Sequence, residues 1–350
     1  MNTKERTSIV EVNGALGGGQ ILRSALTLSM ITGRPFKIVN IRSTRSKPGL
    51  MRQHLTAVRA AQCISNAKVH GAELGTKELI FIPGTIESGD YSFAIGTAGS
   101  TALVAQTLIP ALLFGQQHST ITITGGTHCA MAPSIDFLQQ AYCPALQKMG
   151  MNVSIELIGH GFFPAGGGEI KVSVDPLGQA KAFDCITRGD IRTVSTQAII
   201  AHIPFSIAQR ELKAVQKALA LDDTMLSTRQ VNSHSPGNCI QITIESDEIS
   251  EHIFALGEKK LSAEKVAQQA ARQAKRYINS QVAISQYLAD QLLLPMAIGA
   301  GGQFSTLEPT AHALSQSDLI QTFMLCTITM KENTVVDAPH AWLVEVGSVI

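Results

Sequence analysis

Near the carboxyl end, the stretch YLADQLLLPMAIGAGGQFSTLEPTAHALSQS, Tyr287 to Ser317, brings a tyrosine, a carboxylate, an amide and a histidine around a glycine-rich turn. Tyr287, Asp290 and Gln291 fall on an apolar segment with helical spacing, and His312 stands where a second helix should begin. An imidazole at such a point can serve as a covalent nucleophile. A lone histidine after a Pro-Thr turn is more often a surface or capping residue, so the rest of the chain has to supply the partners that covalent chemistry requires.

Two further patterns bear on this. Arg42, Arg45, Lys47 and Arg52 crowd the segment IRSTRSKPGLMRQ, with no carboxylate between Glu11 and Glu73 to pair with them. They read either as a solvated face or as a phosphate grip to which Arg23 adds from the preceding helix. Glycine-rich turns recur three times, after residue 13, after residue 95 and after residue 298, at strand and helix ends where backbone N–H groups favour anions. None matches a Walker motif or GxGxxG, and each alone reads more readily as a structural turn. The second helices begin at Lys47-Pro48-Gly49, Ala132-Pro133-Ser134 and Thr310-Ala311-His312. Helix starts gathered in this way would form a phosphate-handling centre.

The elements that must position these groups follow one grammar. A strand near residues 8 to 12, a helix ending at Gly33, a strand, a helix entered through Pro48 and Gly49, and two strands make a first unit. The same order returns after residue 90, with a helix ending at Gly115 and one continuous helix from Pro133. It returns again near residue 281, with a helix ending at Gly299. Between the second and third copies, residues 185 to 280 carry strands and helices of their own, enough for a small inserted α/β domain of about 95 residues. The expected organisation is therefore a core of residues 1 to 184 plus 281 to 350, with an insert of 185 to 280.

Composition narrows the class. Of 350 residues, 45% are hydrophobic and 16% charged, which suits a large folded core and excludes a disordered chain. A net charge of +1 means that any polyanion site is a local patch. The six cysteines show no metal-ligand spacing and read as buried thiols in a reducing compartment. With no apolar leader and no long apolar run, a soluble cytoplasmic protein is expected.

Six segments in order, GGGQILRSALTLSMITGRPFKI, IRSTRSKPGLMRQHLTAVRAA, PGTIESGDYSFAIGTAGSTALVAQTLIPALL, HGFFPAGGGEI, GEKKLSAEKVA and YLADQLLLPMA, strongly resemble the RNA 3'-terminal phosphate cyclase family over essentially the full chain. The resemblance implies an α/β (α+β) fold of three βαβαββ repeats with a small inserted α/β domain. It implies ATP and a divalent metal, Mg or Mn, as cofactors and an RNA with a 3'-phosphate end as partner. The reaction would adenylate a histidine, pass AMP to the RNA 3'-phosphate, and let the vicinal 2'-OH close a 2',3'-cyclic phosphate. The family histidine falls on His312. A neutral imidazole is nucleophilic near pH 7 and its phosphoramidate is a good phosphoryl donor.

By the same resemblance, Tyr287 and Pro133 sandwich the adenine, with Phe254 of the insert near that pocket. Gln106 and the run Tyr287, Leu288, Ala289, Asp290 and Gln291 contact the nucleotide. Arg23, Arg42, Arg45, Lys47, Arg52 and Gln53 surround the triphosphate and the RNA 3'-phosphate. The chain departs from the family at the first turn, which reads NGALGGGQ, with Leu16 beside the glycines and no metal-serving glutamate. A hard cation wants oxygen ligands, so either ATP phosphates and water hold it, or Glu11 or Glu308 reaches in, or adenylation is weakened. The metal ligand is therefore unknown. Ala313-Leu314-Ser315-Gln316 replaces the Leu-Thr-Asn that often follows the family histidine. A non-catalytic cyclase-like RNA-binding or ribosome-assembly protein is the alternative function, against which His312, Tyr287 and Gln106 are retained. An enolpyruvyl transferase sharing the repeat would need motifs that are absent.

Overall fold

The computed structural model describes residues 8–15, 17–332 and 340–348. The chain starts with β1 (Val10–Asn13), α1 (Gly19–Thr32), β2 (Phe36–Val39), α2 (Arg52–Ser65), β3 (Lys68–His70) and β4 (Leu79–Ile82). β1 and β2 alternate buried with more exposed side chains, so each turns one face to the core. They pair in parallel, which requires the α1 crossover, while β4 runs antiparallel to both β2 and β3. The sheet order is β1-β2-β4-β3.

The next unit is β5 (Asp90–Ala94), α3 (Thr101–Leu112), β6 (Ser119–Gly125), α4 (Ile135–Phe137), a π turn (Leu138–Tyr142), α5 (Cys143–Lys148), β7 (Val153–Gly159) and β8 (Gly168–Val174). Its sheet order, β5-β6-β8-β7, repeats the first. The single helix expected from Pro133 is interrupted by the π turn, where the Cys143 N–H bonds to the Leu138 carbonyl. Pro144 offers no N–H to continue the ordinary ladder, and the helix widens one residue before it.

After β9 (Phe183–Cys185) come β10 (Ile191–Ala201), α6 (Phe205–Leu219), β11 (Leu226–Gln230), β12 (Gly237–Ser246), β13 (Ser250–Leu256) and α7 (Ala263–Ser280). These form a sheet ordered β11-β10-β12-β13. β11, LSTRQ, is a polar edge strand with no hydrophobic alternation, which is why sequence pattern passes over it. Ile240, Ile242 and Ile244 pack with α6 and α7, while Ile199, Ala201 and Cys239 on the opposite face meet Phe162 of the β7–β8 loop.

The chain ends with α8 (Gln286–Ile298), β14 (Gly302–Thr306), α9 (Ala311–Phe323), β15 (Ile328–Glu332) and β16 (Trp342–Val346). β9 pairs in parallel with β14, giving the sheet β9-β14-β16-β15, the same order a third time. The third unit therefore opens at β9, and the inserted segment interrupts it between its first strand and first helix rather than preceding it. Three residues, FDC, are too few to carry a readable period. The glycines that follow the first helices also differ in detail. Gly33 closes α1 in the left-handed region, Gly299 follows α8 with φ −98°, and Gly115 lies beyond the Leu113 cap of α3.

One apolar cluster runs through all three units, because α1 packs on α2, α3 and α9, α2 on α3, and α8 on α9. The helix starts of different units are thereby brought side by side. Among the described residues no helix is long and apolar enough to cross a membrane.

Candidate active site

His312 is the second residue of α9 and is exposed. Thr310 caps the helix: its Oγ1 accepts the Ala313 N–H at 3.0 Å and donates to the Asp290 carboxyl, 2.7 and 2.9 Å from its two oxygens. Asp290 is buried on α8, and burial pushes its carboxyl up to about 7 against the effect of the Thr310 bond. A carboxyl set there can meet Thr310 as acceptor or, when protonated, as donor. The link fixes the start of α9, and hence His312, relative to α8.

The first unit closes on the same place. Gly17 and Gly18 adopt successive left-handed conformations, with φ 76° and 61°, before α1. A methyl group on Gly17 would lie 3.3 Å from Ser315 Oγ, one on Gly18 would lie 3.2 Å from Arg45 Nη2, and one on Gly19 only 2.3 Å from His54 Nε2. The turn is thus enclosed by α9, the β2–α2 loop and α2. The Gln20 N–H turns back to the Gly17 carbonyl at 3.3 Å, but α1 has neither a side-chain cap nor an acidic residue in its first turn, which leaves its start open to an anion. Gln20 Nε2 donates to Gln316 Oε1, joining α1 to α9 beside it.

The electrostatics favour phosphate and a neutral nucleophile. Partial burial, then Arg45, then Arg23, hold His312 below the usual histidine value. His54 is driven down to about 3 by burial, then by Arg23 and Arg42. Its Nδ1 accepts the Met51 N–H at 3.3 Å, which leaves the proton on Nε2, the atom that faces Gly19. Burial lowers Arg23 to about 10, and among the described residues neither Arg23 nor Arg45 is ion-paired with a carboxylate. Two uncompensated guanidinium groups beside an open helix start make a site for a highly charged anion.

The remaining sequence-selected residues divide. Arg42 stays near the cluster, yet its Nη1 donates to the Lys47 and Gly49 carbonyls at 2.7 and 3.0 Å, so it also clasps its own loop. Lys47 is exposed on that loop. Arg52 lines a separate cleft with Arg59, while Gln53 Oε1 accepts the Ser100 N–H at 2.7 Å and ties α2 to the start of α3. Gln106 Nε2 donates to Gln291 Oε1 at 2.7 Å, joining α3 to α8. Tyr287 is 50% exposed at the start of α8, whereas Leu288 and Ala289 are buried in the apolar core, which leaves them their backbone for any contact with a nucleotide. Pro133 precedes the Ser134 cap of α4, and Phe254 sits on the insert face that meets Phe162.

Leu16 lies outside the described residues. Glu11 and Glu308 are both exposed. Among the described residues no group of three or more histidine, cysteine or acidic side chains could hold a metal ion, so the described protein donors do not form a metal-binding set of their own. His54 and Gln20 were not singled out from sequence, and Thr310, Ser315 and Gln316 entered only within the runs flanking His312, with no role of their own. His54 and Gln20 lie inside segments that carry the family resemblance, but no periodicity or spacing marks them as facing His312.

The model of the RNA 3'-terminal phosphate cyclase family matches residues 15–330. A protein of Ectopseudomonas mendocina (strain ymp) named RNA 3'-terminal phosphate cyclase is 46% identical over 316 residues, covering 90% of this chain and 92% of that one. With helix starts from two units converging on an accessible histidine and paired guanidinium groups, and with a match of this extent, the chain belongs to the RNA 3'-terminal phosphate cyclase family.

Proposed function

We propose that this protein converts an RNA 3'-terminal phosphate into a 2',3'-cyclic phosphodiester at the expense of ATP, through a covalent His312–AMP intermediate. The observation that carries the reading is His312 itself. It is accessible at the start of α9, held neutral near pH 7, and faced by Arg45 and Arg23 beside the Gly17–Gly18 turn.

In the first step an imidazole nitrogen of His312 attacks the α-phosphorus of ATP, forming a P–N bond as the bond to pyrophosphate breaks. Arg23, Arg45 and the leading N–H groups of α1 are suited to bear the charge that moves onto the departing phosphates. In the second step an oxygen of the RNA 3'-phosphate attacks the same phosphorus and the P–N bond breaks, regenerating the imidazole. In the third, the vicinal 2'-oxygen attacks the 3'-phosphorus, loses its proton, and AMP departs. Nucleophile and electrophile are then within one molecule, which removes the entropic cost of bringing them together. Tyr287, half exposed at the start of α8, offers an aromatic face to the adenine.

Incubation with ATP and Mg²⁺ should add one acid-labile AMP to the protein, and His312→Ala should add none. Absence of label in the natural sequence across several divalent metals would defeat the catalytic reading and favour a binding role.

A further inference from the structure

The outer face of α2 carries a second basic feature, distinct from the cluster around His312. Arg52, Thr56 and Arg59 recur at i, i+4 and i+7, on one side of the helix. With Glu73, Leu74 and Ile95 they line a cleft of about 400 Å³ between the first and second units. That volume lies within the range of about 300–1,000 Å³ common to small-ligand sites. Both guanidinium groups are exposed, and among the described residues neither is ion-paired, although the Glu73 carboxylate lines the same cleft. Leu74, 54% exposed, supplies an apolar surface at its wall.

The first turn of α2 connects this cleft to the candidate active site. His54 faces Gly19 and the His312 cluster, Gln53 holds the Ser100 N–H, and Arg52, the residue before, lines the cleft. A strand whose 3'-phosphate lies by His54 and Arg23 can therefore continue past Gln53 towards Arg52 and Arg59. Two unpaired guanidinium groups fit a phosphodiester, the apolar wall fits a base or ribose face, and Glu73, an acceptor only, fits an amine or hydroxyl of the nucleotide.

We infer that the Arg52–Arg59 cleft holds a nucleotide upstream of the reactive 3' end of a single-stranded RNA. The inference rests on RNA being the substrate, and adds a contact that a mononucleotide cannot make. Its test is equilibrium binding of a short fluorescent single-stranded RNA ending in a 3'-phosphate, with adenosine 3'-monophosphate as the short competitor.

Arg59→Ala should weaken RNA binding about tenfold and lower the salt slope by about one, Arg59→Glu should weaken it further, and Arg59→Lys should restore most of it. Affinity for adenosine 3'-monophosphate should be unchanged in all three. Wild-type RNA affinity in Arg59→Ala and Arg59→Glu would overturn the inference, as would no RNA binding by the natural protein or equal losses for both ligands. AMP loading from ATP alone reports on His312 separately. Its absence, with the Arg59 effect intact, would remove the cyclase reading and leave the cleft.

Discussion

Histidines gather in two places in this protein, and the two are built differently. Around His312 the imidazoles meet guanidinium groups, a glycine turn and an open helix start. At the contact between the second unit and the insert, His128 Nε2 lies 2.8 Å from Asp136 Oδ2 with both side chains nearly sealed. There His160 stacks on His128 with ring centroids 5.4 Å apart, and Phe162 closes in at 5.2 Å. Burial raises the Asp136 carboxyl, but the hydrogen bond and charge of His128 outweigh it and hold the group well below its usual range. Burial brings His160 and His252 down to about 4. Imidazoles are held down in both places, His312 and His54 in one and His160 and His252 in the other, so a lowered value alone does not mark a nucleophile. Access and surrounding cations do: His312 can meet a phosphate, and His128 is occupied by a carboxylate and shut away.

This contrast can be broken by substitution. The largest effect should come from His312→Ala, which should abolish AMP loading while leaving thermal stability near that of the natural protein. His128→Ala should do the reverse, retaining AMP loading at a temperature where the protein is folded. It should lower unfolding free energy by about 3 kcal/mol, because Asp136 is left buried without its partner. Denaturant unfolding and a radiolabelled ATP assay separate the two. Equal loss of AMP loading in both variants would erase the distinction.

A subtler test concerns why His312 is neutral. Arg45→Ala removes a cation that holds the imidazole down, so the acid limb of the pH profile for AMP loading should move to higher pH. An unmoved limb would mean that burial and Arg23 set the value without Arg45.

Asp290 provides the pH dependence of the scaffold. Its folded value, about 7, lies above the ordinary carboxyl value of 3.8, so the native state holds more protons between those limits. Its contribution to stability is therefore fully present below about pH 4 and lost as pH rises towards 7. Asp290→Asn, with the Thr310 link still available to the amide oxygen, should gain on the natural protein across that window by about 4 kcal/mol in urea unfolding. A flat difference would place the raised value in doubt. The smallest change should follow Gln106→Ala, which loses the bond to Gln291 at a cost of about 1 kcal/mol.

Much of the fold was legible because its elements are periodic. Alternation in β6 and the apolar faces of α1 and α3 follow from side chains that must be buried on one side. β9 and β11 were not legible, being respectively too short and too polar, and one was therefore missed as the opening strand of the third unit. Family resemblance offered His312 as the catalytic candidate and Arg23 and Arg45 as phosphate ligands, and the structure brings the three near one another. Arg52 was grouped with them from sequence, and the structure sets it on the wall of the neighbouring cleft, because it leaves α2 on a different side from His54, which faces Gly19.

The sequence by itself determined the recurring strand and helix order, the family, and the residue types available for phosphate chemistry. Tertiary structure alone decided which of them meet. Gln20 and Gln316 stand 296 positions apart and still share a hydrogen bond, because α1 and α9 pack side by side. His54 faces Gly19 because a glycine there leaves room that any side chain would fill. Spacing along a chain specifies neighbours within one element, whereas the approach of two helix starts depends on how separate apolar faces pack into a common core.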